Sequence, residues 1–273
     1  MKLLFVVDPL ETFKPYKDSS YAMMREAHSR GHEIWACTPA QLNWQRGGTV
    51  RAHAQRLVLT GALDDWYEPL GTQDAALPAF GAVLMRKDPP FDSEYFYATH
   101  LLGRAEADGA RVFNSPRALR DHPEKLAILE FPEHIAPTLV TRSADDIRAF
   151  HARHGDIILK PLDGMGGMGI FRVGPDGLNL GSITETLNRG GAQTVMVQKY
   201  LSEIVRGDKR IVTIAGKPVP HSLARIPQGS EIRGNLAVGG KGVALPLSAR
   251  DREIAESIGP VLAARGLLFV GLD

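Results

Sequence analysis

Apolar residues along the chain come in two rhythms. Short continuous runs bounded by turn residues predict buried strands, and stretches with apolar positions three or four apart predict helices. "KLLFVVD" at residues 2–8 reads as a buried strand. "DSSYAMMREAHSRGHEIWAC" opens with a helix cap at Asp18 or Ser19 and runs as a helix to about Arg30. It stops at Gly31 and continues as a strand at Glu33–Cys37. Met23, Met24 and Ala27 lie on the core side of that helix. "AVLMRK" predicts a further strand, then the turn "DPPFD" and a helix from about Ser93 to Asp108. "GARVFNSPRAL" repeats the unit, with Ser115 as cap and Pro116 at the first helical position. Strands alternating with helices predict an open parallel sheet with helices on its faces over residues 1–115.

Beyond Leu126 the rhythm changes. "APTLVT" and "DIILKPL" predict strands around the helix "SADDIRAFHARHG". A glycine loop, the run "IFRV", a turn at "GPDG", a helix near Ile183–Asn188 and the strand "TVMVQKYL" follow. "KRIVTIAGKPVPHSLARI" reads as two β runs about the turn "AGKP". Residues 227–242, rich in glycine and without a period, are expected to be a flap that orders on ligand binding. A helix at Ala249–Arg265 and a buried strand "LLFVGLD" end the pattern. Changes of rhythm place boundaries near residues 120 and 200.

Composition narrows the function. The net charge is +1, so no global field draws nucleic acid or an anionic membrane, and any anion site must be a local cluster. Cys37 is the single cysteine and has no partner for an internal disulfide, which suits a reducing compartment. The first apolar run is broken by Asp8 too early for a secretory signal, and no run approaches a membrane span. A cytoplasmic protein is expected. His28 and His32 are separated by Gly31, and His151 and His154 sit at a charged helix end, so the histidines do not suggest a metal site.

The chemistry centres on "GMGGMG" at residues 164–169. Gly164, Gly166 and Gly169 match the spacing of a dinucleotide-binding turn, but such a turn must open into a helix, and here a β run follows. No Gly-Lys-Ser/Thr follows either, which excludes a Walker loop. Strand, glycine loop, strand predicts a hairpin lid whose backbone N–H groups fold over nucleotide phosphates; the bland alternative is an exposed tight hairpin. Lys160 at the end of the first strand offers a point charge to phosphate, and Lys125 lies at the junction before it. "VMVQKYL" has the polar end expected of a strand that hydrogen-bonds an adenine edge. Asp208, Lys209, Arg210, Arg225 and Arg233 gather basic groups suited to carboxylates and phosphates. In the first part, Arg86, Lys87 and Asp88 end a strand at its carboxyl edge, where open sheets bind ligands. Asp18, Ser19 and Ser20 begin a helix whose N–H groups suit a carboxylate, with simple capping as the alternative.

"LMRKDPPFD", "NSPRALRDHPEKL", "IILKPLDGMGGMGIFRV", "GDKRIVTIAGKPVPHSLARIPQGSEIRGN" and "GLLFVGLD", in this order, resemble the prokaryotic glutathione synthetases, a family of ATP-grasp ligases. The resemblance implies an α/β chain: a Rossmann-like parallel-sheet domain at 1–120, an ATP-grasp lid subdomain at 121–200 and an α+β C-terminal ATP-grasp subdomain at 201–273. It implies ATP- and Mg²⁺- or Mn²⁺-dependent joining of γ-glutamylcysteine to glycine in the cytoplasm, by a homo-oligomer. Lys125, Lys160, Gly164, Met165, Gly166, Gly167, Gly169, Gln198, Lys199, Tyr200, Leu201 and Asp208 would then hold ATP. Arg210, Arg225 and Arg233 would serve catalysis, and Asp18, Ser19, Arg86 and Asp88, with Arg210 and Arg225, the dipeptide substrate. Asp273 would be a metal ligand. Family members continue beyond the position of Asp273 through further metal ligands, so the last subdomain is expected to be truncated, and the chain as written to keep some ATP binding but lose nearly all synthetase activity and be less stable. The alternatives are another ATP-grasp carboxylate–amine ligase and an ATP-binding fragment without catalysis.

Overall fold

In the computed structural model, which describes residues 1–229, 233–236 and 239–273, the chain divides into two units. Residues 1–122 and 265–268 form the first; residues 123–264 and 269–273 form the second. No helix among the described residues is long and apolar enough to cross a membrane.

The first unit begins with β1 (Lys2–Val6), α1 (Ser19–Ser29), β2 (Glu33–Cys37), the short β3 (Leu42–Asn43), β4 (Arg51–Leu59) and β5 (Tyr67–Ala76). It continues through β6 (Ala82–Met85), α2 (Ser93–Ala107), β7 (Val112–Phe113) and α3 (Pro116–Asp121). Strands β2, β1, β6 and β7 lie side by side in parallel. The period-two alternation of β1 explains why both faces are covered. Leu4 and Val6 pack with Ala98, Leu102 and Ala105 of α2, whereas Phe5 and Val7 join Tyr21 and Met24 of α1. The Asp18 carboxylate caps α1 by accepting from the Ser20 and Tyr21 amides, and Gly31, at φ +76°, turns the chain out of it.

The remainder of this sheet departs from the expected parallel order. Strand β4 pairs antiparallel with β2, β3 and β5, making a mixed sheet. The hairpin escapes the sequence pattern for two reasons. Its inward positions start as Ala52 and Ala54, weak strand formers, and a bulge between Arg56 and Leu57 shifts the alternation. Pro69 is tolerated because β5 pairs on one side only, with β4.

Among the described residues, the second unit holds two four-stranded antiparallel sheets. The first orders β10, β9, β11 and β8, where β8 is Thr138–Thr141, β9 Ile157–Pro161, β10 Phe171–Val173 and β11 Val195–Lys199. Helices α4 (Ala144–His154) and α5 (Leu180–Asn188) cover one face, over Ile147, Ile157, Leu159, Val173, Val195 and Val197. The second orders β14, β13, β12 and β15: β12 is Asp208–Ile214, β13 Lys217–Ile226, β14 Lys241–Pro246 and β15 Phe269–Leu272, with α6 at Ala249–Ala264. Strand β15 is an edge strand, half-buried rather than buried as its apolar run suggests. The expected flap at 227–242 extends too far, since Lys241 and Gly242 already belong to β14. Its residues 230–232 and 237–238 lie outside those described.

Helix α6 meets the β12–β13 turn so closely that only glycine fits. A Cβ on Gly259 would lie 2.4 Å from the Gly216 carbonyl oxygen. Gly259→Ala gains about 1 kcal/mol of helix propensity but forces overpacking against backbone, at the upper end of a range reaching about 3 kcal/mol. Net destabilisation and a lower thermal midpoint are expected; a melting curve at or above the parent's contradicts this close packing.

Candidate active site

On β9, Ile157 and Leu159 point to the helices, so Ile158 and Lys160 occupy the opposite face. Met196 and Gln198 of β11 stand across from Lys160 and Ile158 on that same face. Beyond Pro161 the chain makes the glycine loop and returns as β10, Phe171 pairing with Leu159 and Val173 with Ile157. The strand–loop–strand hairpin read from the sequence is therefore present. Gly166, Gly167 and Gly169 adopt positive φ, which favours glycine at these three positions. The 233–235 segment approaches Gly167: Arg233 Nη1 donates to its carbonyl at 3.0 Å, and a Cβ there would meet Asn235 Oδ1 at 3.0 Å.

Lys125 donates from Nζ to the Gly164 carbonyl at the loop entrance and pairs with Glu124 at 2.7 Å. Burial is the first reason the Lys160 ammonium lies below the ordinary lysine range, and the Lys125 charge adds to it; Glu124 and Asp273 pull the other way. The two cations are close enough to repel, and the attraction of nearby carboxylates does not offset the burial and repulsion felt by Lys160. A polyanion would supply that missing charge.

The end of β11 is fixed by its neighbours. Gln198 Nε2 donates to Thr138 Oγ1 at 2.9 Å, and the Lys199 amide to the Pro137 carbonyl at 3.0 Å. The Tyr200 amide donates to the Asp156 carbonyl at 2.9 Å, while Leu201 is exposed. Across the second sheet, Asp208 and Arg225 stand directly opposite, and the Arg225 Nε and Nη2 donate to the two carboxylate oxygens at 2.9 and 2.7 Å. Arg225 Nη2 also lies 3.2 Å from Asp273. Arg210 grips Asp273 with a second fork. Burial alone would raise the Asp273 carboxyl, but the hydrogen bonds and charges of Arg210 and Arg225 outweigh it and hold the group below its ordinary range. Arg225 is buried and its partners are partly open, so this is an ion network with one solvent-facing side.

The first unit has its own cluster at the carboxyl ends of β1 and β6. Arg86 Nη2 donates to Ser19 Oγ at 2.8 Å and Nε to Ser20 Oγ at 3.2 Å. Lys87 pairs with Asp8 at 2.8 Å, and the Asp88 amide donates to Asp8 Oδ2 at 2.8 Å. Burial, with the charges of Asp8 and Asp18, raises the Asp88 carboxyl despite Arg86 and Lys87. The sequence offers Asp18 and Ser19 at a helix start and Arg86 and Asp88 at a strand end as two separate places for a substrate, and the fold sets them side by side, Arg86 bonding both serines. The Ser20 and Tyr21 amides, however, are satisfied by Asp18.

Some groups at these places carry no local sequence signal. Asp8 reads only as the end of a strand. Asp156 and Arg172 are joined across the hairpin by two hydrogen bonds, 2.9 and 2.6 Å, and nothing in their neighbours' pattern marks them as partners.

Comparison with known proteins accounts for both units. The model of the prokaryotic glutathione synthetase N-terminal domain matches residues 1–120, and that of the family's ATP-grasp domain residues 124–273. Glutathione synthetase of Ralstonia nicotianae is 59% identical over all of this chain and 84% of its own length. That of Neisseria meningitidis serogroup B is 54% identical over the whole chain and 86% of its own. Among solved structures, D-cycloserine synthetase DcsG aligns with a TM-score of 0.67 at 15% identity, over 98% of this chain and 82% of its own, and shares the fold. The chain belongs to the prokaryotic glutathione synthetase family of ATP-grasp ligases.

Proposed function

We propose that the chain joins γ-glutamylcysteine to glycine with cleavage of ATP to ADP and phosphate. The observation that carries this reading, within the family, is the hairpin lid with Lys125 bonded at its entrance and Lys160 held short of compensating charge. In the proposed reaction the cysteinyl carboxylate attacks the γ-phosphorus and ADP leaves, giving an acyl phosphate. The glycine amine then adds at that carbonyl, and phosphate departs as the amide forms. Phosphoryl transfer of this kind requires positioning and charge neutralisation more than a side-chain nucleophile.

In this reading Lys125 and Lys160 hold the nucleotide phosphates, with the Gly164–Gly169 loop, Met165 included, folded over them. The segment from Gln198 to Leu201 flanks adenine, and Asp208 lies toward the ribose. Arg210, Arg225 and Arg233 neutralise the transferring phosphoryl group and the substrate carboxylate, while Arg86, Asp88, Asp18 and Ser19 hold the dipeptide. The flap excludes water that would hydrolyse the acyl phosphate. Asp273 would supply one hard oxygen donor to a Mg²⁺ shell, which commonly takes one or two carboxylates with phosphate and water completing it; both its oxygens accept from Arg210 here, so it would fit such a shell only by giving up part of that fork. Such an ion, when bound, supplies charge neutralisation at the phosphates.

Phosphate release with γ-glutamylcysteine plus glycine, set against D-alanine or glutamate as acceptor, tests the reading. Any turnover is expected with glycine as acceptor; turnover only with another pair identifies a different carboxylate–amine ligase, and ATP binding without turnover on any pair leaves a binding fragment.

A further inference from the structure

Three segments of one sheet meet at a cation that the proposed chemistry does not use. Arg172 is the middle residue of β10, just beyond the glycine loop. Its Nε and Nη2 donate to the two oxygens of Asp156, the residue preceding β9. With its plane fixed by that fork, the guanidinium lies 3.8 Å from the centroid of the Tyr200 ring, close enough for a strong cation–π contact. The Tyr200 amide in turn donates to the carbonyl of the same Asp156, which extends the β9–β11 pairing one residue past Lys199. Asp156 thus holds the backbone of Tyr200 directly and its ring through Arg172. The hydrogen bond to Asp156 is the main reason the guanidinium is held still more firmly in its charged form.

We propose that Arg172 is a positioning residue for the nucleotide base: it locks Tyr200, and through it the 199–201 backbone, to the hairpin that carries the glycine loop. The inference rests on the reading of Gln198–Leu201 as the adenine-flanking segment. Arg172 bonds Asp156 and stacks on Tyr200, so its effect is expected at the base end of the ligand alone. A general loosening of the lid would instead weaken both ends.

The experiment uses the full chain and calorimetric titration with two probes, ADP and inorganic tripolyphosphate. Arg172→Met is expected to weaken ADP about tenfold and leave tripolyphosphate within twofold of the parent. Arg172→Lys, which keeps the charge but not the planar fork, falls between. Tyr200→Leu weakens ADP similarly, and the double variant adds little to it, because Arg172 acts through Tyr200. Equal loss of both probes, or full additivity in the double variant, overturns the proposal. Should Arg172→Met fail to fold, the same comparison is read from Arg172→Lys and Asp156→Asn. Lys160→Ala serves as the control on the underlying reading: if it weakens tripolyphosphate while Arg172→Met leaves ADP unchanged, the nucleotide site stands and the positioning role falls. If Lys160→Ala and Tyr200→Leu both leave ADP unchanged, the nucleotide site itself is misplaced and the proposal goes with it.

Discussion

Lys160→Ala is expected to abolish practical turnover. The residue is next to last in β9, on the sheet face opposite the helices, and the strand leads into the loop of positive-φ glycines. A charge-assisted hydrogen bond to phosphate contributes about 1.5–3 kcal/mol, so ATP affinity falls roughly tenfold to a hundredfold. The loss in rate is larger, about 10²–10³-fold in kcat, because the negative charge moving in phosphoryl transfer meets one preorganised cation fewer. Lys125 cannot substitute, being committed to Gly164 and Glu124. The alkaline limb of ATP binding provides an independent reading. Burial and the Lys125 charge lower the Lys160 ammonium, so in the parent ATP affinity falls with rising pH earlier than an ordinary lysine would dictate. In Lys160→Ala that limb disappears. Initial rates and titrations across the alkaline range measure both effects. ATP affinity and rate within twofold of the parent would remove the nucleotide from this face of the sheet.

How far the site was legible follows from where its information lies. The glycine hairpin was readable because strand, loop and strand are consecutive, and the β run after Gly169 excludes a helix there. The α1 boundaries were readable because capping chemistry is local, with Asp18 at one end and Gly31 at the other. Lys125 could be singled out, but not its partner, since Gly164 lies 39 residues away. The same limit hid the Asp156–Arg172–Tyr200 assembly, whose members sit before β9, inside β10 and after β11 and become neighbours only through antiparallel pairing. The β4–β5 hairpin was missed for a different reason. Its buried alanines give little hydrophobic contrast, and the bulge breaks what alternation there is. Arg225 and Asp208 were each identified as polar site residues. Their direct opposition depends on a register that includes an irregularity between Ile211 and Thr213.

That opposition makes Arg225 the second position where a large effect is expected. Arg225→Met would leave Asp208 without its fork and Asp273 with Arg210 alone, at a place where the arginine side chain is only 6% exposed. Removing one partner of a fully buried ion pair costs about 3–5 kcal/mol; solvent reaches both carboxylates here, so a cost of about 2 kcal/mol is expected. Acid sensitivity should change as well. In the parent, Asp273 is held below its ordinary range, so its contribution to stability is complete above that range and fades as pH falls through the lowered value. Without Arg225 one of the charges lowering it is gone, and the fading begins at higher pH. Activity is expected to drop by about 10²–10³-fold, as for loss of one preorganised donor. Arg225→Lys restores the charge but not the two-pronged geometry and should recover stability better than rate. The double variant Asp208→Asn/Arg225→Met separates the two roles: relieving the orphaned carboxylate returns part of the stability and none of the activity. Thermal unfolding from neutral pH down to about pH 3, paired with initial rates, measures these outcomes. If Arg225→Met keeps both its melting profile and its rate, the Asp208–Arg225–Asp273 network supports neither the fold nor the reaction. If the double variant regains activity along with stability, Arg225 serves only to neutralise Asp208, and the transferring phosphoryl group must be met by Arg210 and the lysines instead.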